Sequence, residues 1–299
     1  MYNKRWFIFL EIIMLPIFSF CQSKIKIISG EEKFALPYAS IINKTSNHFF
    51  SANEYGEALL YGNFGDSILI SYAGYKDVSF VNKKEEKIVE LFLLHKFLPE
   101  VFVFKCKKGN TFLLENGLKP GKLFNGFVGI NWTYSEITKP YALLIKDLPS
   151  NSKIETFSFW LEKSLQSPDS TILAPFIVMI YSFDSLSQIP GNPLLSKPLI
   201  FFPKKQGKQT INLDSLNLYS PKNGIFISIQ YVIDKKFSWN QKVLTDRGAD
   251  TTIISYGGII KGGINKSQNE SFIYDVQNNK WIKFKNRIIA FEIKYRKCN

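Results

Sequence analysis

Apolar residues along this chain come in short runs of strand length, separated by residues that favour turns. Between residues 24 and 105 the runs are Lys24–Ile28, Ala39–Asn43, Gly56–Tyr61, Ser67–Tyr72, Asp77–Val81, Lys87–Leu93 and Val101–Phe104. Asn53-Glu54-Tyr55-Gly56 and Gly65-Asp66 supply turn chemistry between them. Strands spaced this closely predict a β-sandwich rather than βαβ units. From Leu123 onward the runs lengthen: Phe127–Tyr134, Tyr141–Ile145, Ile154–Glu162, Phe176–Phe183, Leu199–Phe202, Gln209–Leu213, Gly224–Ile233, Thr251–Tyr256 and Ile288–Tyr295. Within Ile154–Glu162, Phe157, Phe159 and Leu161 alternate with Thr156, Ser158 and Trp160, which sets one apolar face against a mixed one. No segment carries a helical i, i+3, i+4 pattern longer than two turns. The expected fold is all-β, with a small N-terminal β-sandwich over residues 22–105. A connection over 106–122 then leads to a larger jelly-roll-like β-domain over 123–299.

The first residues do not fit that frame. Lys4 and Arg5 precede an apolar run from Trp6 to Phe18, broken by Glu11, and Ser19-Phe20-Cys21 puts small side chains at the −3 and −1 positions of a cut before Gln22. The pattern predicts a signal peptide over residues 1–21 and an exported chain, in the periplasm or at the outer membrane or cell surface. A lipid anchor on Cys21 is the lesser alternative, because Phe20 is bulky where lipoprotein signals carry a small residue. The run is short for a membrane span, so no transmembrane segment is expected in the mature chain.

Composition refines the picture only modestly. Hydrophobic residues at 45% and charged residues at 21% describe a folded chain, and the 27 phenylalanines favour strands. The net charge of +13 reads as a solvated basic surface. Its lysines are scattered in pairs such as Lys83-Lys84 and Lys204-Lys205, with no nucleic-acid-binding signature. With Cys21 removed, Cys106 and Cys298 remain. One bridge between them is arithmetically available in an oxidising compartment. Two free thiols are at least as well supported, because Cys298 is next to the C-terminus and Cys106 lies between the domains.

Four motifs in order resemble the carboxypeptidase-regulatory-like domain common in exported Bacteroidetes proteins. They are Leu36-Pro37-Tyr38-Ala39-Ser40-Ile41, Asn53-Glu54-Tyr55-Gly56, Asp66-Ser67-Ile68-Leu69-Ile70-Ser71-Tyr72-Ala73-Gly74-Tyr75-Lys76, and Leu98-Pro99-Glu100-Val101-Phe102-Val103. The resemblance implies a seven-stranded prealbumin-like sandwich that serves as a structural or binding module. More loosely, Lys153–Phe157, Pro193-Leu194-Leu195 and Asn212-Leu213-Asp214 resemble the C-terminal part of uncharacterised proteins that carry the same first domain.

Chemistry is sparse. The two histidines, His48 in an expected loop and His95, have no metal spacing, and no GxSxG motif is present. Glu155, Glu162, Asp184, Asp214, Asp234, Asp246 and Asp250 could supply a carboxylate pair only if the fold brought two together. Asp246 and Asp250, flanking Arg247-Gly248-Ala249, could donate oxygens to calcium, the one cofactor considered. Of five tryptophans, Trp160 and Trp239 are the candidates for stacking on sugar rings. The expectation is a non-enzymatic binding or scaffold protein of the cell envelope. Its partner would be a glycan or an envelope protein and not nucleic acid; oligomeric state is not encoded. The alternative is a carbohydrate-active enzyme with a carboxylate pair in the C-terminal domain.

Overall fold

The computed structural model describes residues 23–83, 85–94, 106–116, 118, 140–162, 172–244, 250–256, 259–264, 270–275, 278, 280–284 and 287–298. Within these, the side chains of 107–109, 235, 239–244, 250–259, 264 and 287 are excepted. The expected signal peptide, the strands at Val101–Phe104 and Phe127–Tyr134, the fourth resemblance motif, His95, Trp132 and Asp246 lie outside the described residues.

The chain is all-β. The first seven strands are β1 (Ser23–Ser29), β2 (Ser40–Asn43), β3 (His48–Ser51), β4 (Glu57–Leu60), β5 (Ser67–Ser71), β6 (Val78–Val81) and β7 (Lys87–Leu91). They form two sheets, β4-β1-β7 and β3-β2-β5-β6. Ile25 and Ile27 of β1 face Ile41, Ile68 and Ile70 of the second sheet within one buried core. The alternation in β1, with Lys24 and Lys26 exposed between buried isoleucines, is what makes it a half-buried strand. His48 begins β3 rather than lying in a loop, pairing opposite Asn43.

The larger part begins earlier than the pattern suggested. Residues Cys106–Glu115, inside the expected connection over 106–122, form a strand, β8, in which Cys106 and Thr111–Glu115 pair with the C-terminal strand. Alternation was weak there, since Lys107-Lys108-Gly109-Asn110 reads as loop chemistry. The following strands are β9 (Tyr141–Ile145), β10 (Ser152–Glu162), β11 (Phe176–Asp184), β12 (Ile189–Pro193), β13 (Leu199–Phe201), β14 (Gly207–Asn212) and β15 (Ile225–Tyr231). After them come β16 (Ser238–Leu244), β17 (Asp250–Tyr256), β18 (Ile259–Ile260), β19 (Gly262–Ile264), β20 (Ser271–Asp275), β21 (Lys280–Phe284), β22 (Arg287–Ile289) and β23 (Phe291–Cys298). Two sheets dominate: β14-β10-β23-β8 with β18 added, and β12-β11-β15-β9-β20-β21 with β13 added. Among the described residues, helix is limited to single 3-10 turns at Asp214–Leu216 and Lys235–Phe237.

The β9, β11 and β15 sequences explain the packing. Tyr141–Ile145 and Ile225–Tyr231 are buried at every residue, as is Phe176–Tyr181, so these strands are covered on both faces. On one face Phe176 meets Phe159 of β10 edge to face, with ring centroids 5.5 Å apart. On the other face the N-terminal sandwich docks. Gln230 Nε2 donates to Ser40 Oγ at 2.7 Å, and the Ser51 N–H donates to the Ile233 carbonyl at 3.1 Å. A single buried apolar cluster therefore runs through all three layers. Cys106 and Cys298 are joined by a disulfide, so the free-thiol alternative is corrected. The register of β8 on β23 sets the two cysteines directly opposite each other.

Candidate functional site

Where the N-terminal sandwich meets the seven-stranded sheet, the surface opens into a cleft of about 670 Å³. One wall comes from the segment after β5. The strand ends at Ser71, and Tyr72-Ala73-Gly74-Tyr75 forms a tight turn in which the Tyr75 N–H donates to the Tyr72 carbonyl at 2.9 Å. Gly74 has φ +86°, the third-position geometry of a type II turn. A Cβ there would also lie 2.5 Å from the Met179 methyl, so the turn sits directly on β11. The Tyr181 hydroxyl, two residues along β11 from Met179, hydrogen-bonds the Gly74 backbone. The turn delivers Asp77 to the cleft.

Asp77 is the chemically distinctive residue. The side chains of Ser71 and Tyr274 hydrogen-bond its carboxyl group, while Oδ2 is buried and without a partner among the described residues. Burial pushes its pKa above the ordinary carboxylate value, opposed by the Ser71 hydrogen bond and the charge of Lys44. Burial also raises the Tyr274 hydroxyl, reinforced by the neighbouring Asp77 charge.

The opposite wall is built from two hairpins. In the β20–β21 hairpin, Tyr274 pairs across from Trp281 and Asp275 from Lys280. Trp281 packs tilted against Tyr274 with centroids 5.1 Å apart and edge-on against Tyr181 at 5.9 Å, so two rings fix the indole plane. In the β11–β12 hairpin, Asp184 caps the loop: Ser187 Oγ donates to Oδ2 and the Leu186 N–H to Oδ1 at 3.0 Å. These donors hold the Asp184 carboxyl below its ordinary range. Asn192 is positioned by its own N–H donating to Ser182 Oγ at 3.0 Å. The cleft thus brings together a carboxyl whose pKa burial raises, a carboxyl whose pKa its donors lower, a lysine and a fixed aromatic wall.

Of the residues favoured by the sequence, Trp160 lies elsewhere. Trp160 is on the outer face of β10, half-buried, opposite Lys208 of β14. The Lys208 ammonium stands 5.6 Å from the Trp160 ring centroid and bonds Glu292 at 2.5 Å, so a cation already attends that ring. Trp160 does not line the cleft. Trp239 lies in β16 opposite Ser255 and Asp250 begins β17 opposite Leu244, but both side chains, like all of Asp246, are outside the described residues. Among the described residues no group of three His, Cys, Asp or Glu side chains could hold a metal ion. Of the carboxylates considered from the sequence whose side chains are among the described residues, only Asp184 lines the cleft. Asp77 escaped notice because it reads as the start of an N-terminal strand. Trp281 was one tryptophan among five, and only its pairing with Tyr274 distinguishes it.

Comparison with known proteins adds little. No family model matches the chain, and no curated protein matches it. Among solved structures, the chain is similar to the cysteine protease and lectin-like domains of Cwp84, a surface layer associated protein of Clostridium difficile. The TM-score is 0.34 at 12% identity, over 53% of this chain and 32% of that one. The chain spans about a third of the length of the structure it matches. A likeness at this level transfers neither activity to this chain. The non-enzymatic reading expected from the sequence is withdrawn: that reading rested on finding no carboxylate pair, and Asp77 and Asp184 line one cleft.

Proposed function

We propose that this chain is an exported binding protein of the cell envelope whose ligand enters the cleft between the N-terminal sandwich and the seven-stranded sheet. The carrying observation is the cleft itself. Its volume of about 670 Å³ falls in the range of small-ligand sites, and polar groups converge there on an aromatic wall. Export is supported by the basic and apolar start of the chain and by the Cys106–Cys298 bridge, since such bridges persist in oxidising compartments. The motifs between Leu36 and Lys76 support the carboxypeptidase-regulatory-like reading of the N-terminal module. The test is a ligand screen of the mature chain by thermal shift, repeated with Trp281→Ala and Trp160→Ala. A ligand whose shift disappears in the first variant and persists in the second supports the cleft. A ligand equally affected by both, or only by Trp160→Ala, removes it.

One observation favours a second reading, a carbohydrate-active enzyme. Asp77 and Asp184 line the same cleft with their pKa values moved in opposite directions, the division of roles that acid–base cleavage of a glycosidic bond uses. Release of reducing ends from a bound oligosaccharide, abolished in Asp77→Asn with binding kept, would support it. Binding without any product would exclude it.

A further inference from the structure

We infer that the cleft selects an uncharged, polyhydroxylated ligand, a neutral sugar residue or a short neutral glycan, rather than an acidic glycan or a cation. The inference rests on the proposed cleft site and goes beyond it by naming the ligand's charge and class. The argument starts from how charge is distributed. The chain as a whole carries +13, which by itself would steer anions. The cleft lining does not share that excess: it holds Asp77 and Asp184 with Lys280 as its one lysine. An acidic sugar entering it would be desolvated beside a carboxylate that Ser187 and Leu186 hold ionised. A cation would meet Lys280, with Lys44 near enough to act on Asp77. The lining therefore offers neither a cluster of cations to an acidic ligand nor a cluster of carboxylates free of lysine to a cation.

A neutral sugar meets different terms. Its hydroxyls both donate and accept, and the lining offers both kinds of group: Asp184 and Asp77 accept, Lys280 donates, and Asn192 and Ser182 do either. The apolar face of a pyranose needs a flat aromatic surface already held in place. Trp281, braced by Tyr274 and Tyr181, is such a surface, because packing on two rings removes the freedom it would otherwise lose on binding. Trp160, by contrast, has a lysine ammonium over its ring.

The test is calorimetric titration of the full mature chain with four probes: cellohexaose, maltohexaose, polygalacturonate oligomers and spermine. The expected result is binding of at least one neutral hexasaccharide. Its affinity should fall at least tenfold in Trp281→Ala and in Asn192→Ala, and change less than twofold between 50 mM and 500 mM salt. Circular dichroism and thermal melts on each variant separate lost contact from lost folding. Binding confined to polygalacturonate or spermine, with strong salt dependence and sensitivity to Trp281→Ala, overturns the neutral-sugar inference and leaves the cleft as the site. Probe binding untouched by both variants overturns the two together. Silence of both neutral probes, while a ligand from the thermal-shift screen still requires Trp281, overturns the sugar class alone.

Discussion

Breaking the Cys106–Cys298 bridge is the perturbation whose size follows most directly from the fold. The bridge closes a loop with a sequence separation of 192 residues, so its removal returns a large closure entropy to the unfolded chain. The chain-entropy relation puts the loss at about 5 kcal/mol. The native side adds to the effect: among the described residues β8 pairs only with β23, and the bridge lies at the end of that ladder. The assay is equilibrium urea unfolding of the mature wild type and of a Cys106→Ala/Cys298→Ala variant, followed by tryptophan fluorescence and far-UV dichroism. With an m-value of about 3 kcal/mol/M, the midpoint should drop by about 1.5 to 2 M. Wild type in reducing agent should behave like the variant. Midpoints agreeing within about 0.3 M, or two thiols titrating in the unreduced, denatured chain, would refute the reasoning.

Two further predictions use single residues. Gly224 has φ +89°, and a Cβ there would lie 2.4 Å from the Ile145 carbonyl oxygen, a backbone atom of a buried strand that cannot give way. Gly224→Ala should therefore cost about 2 to 4 kcal/mol in chemical denaturation. Gly65→Ala, at φ +92° in open space, should cost only the conformational strain of about 1 kcal/mol; equal losses would argue against the contact. For Asp77, a raised pKa means that the folded chain holds this proton longer than the unfolded one. Its contribution to stability is complete below the unfolded value near 3.8 and is lost as pH rises through the folded value. Asp77→Asn lacks that loss, so its stability relative to wild type should improve between pH 4 and pH 7. A difference that is flat or runs the other way would contradict the burial argument.

How much could be read from the chain differs between its parts. In β1 and β10 the alternation of apolar and polar residues gave strand, face and approximate ends together. β9 and β15 were legible as strands, and their unbroken apolar runs meant cover on both faces. What covered the second face was not legible, because Gln230 and Ser228 would look equally at home facing water. β8, β20 and β21 were missed because Lys107-Lys108-Gly109-Asn110 reads as loop chemistry and Ser271–Asp275 and Lys280–Phe284 are too short and mixed for a period to stand out. Asp77 and Trp281 carry no local signal at all. Their significance is that a turn and a hairpin distant in sequence meet across one cleft.

By itself, then, the sequence determined the all-β class, most strand positions, the export-like start and the turn glycines, because these depend on local sterics and on side-chain periodicity. The tertiary structure alone decided the three-layer stacking, the pairing of Cys106 with Cys298, and the meeting of Asp77, Asp184 and Trp281. Each of those depends on which long-range surfaces fit together, and contacts between residues so far apart leave no periodicity along the chain.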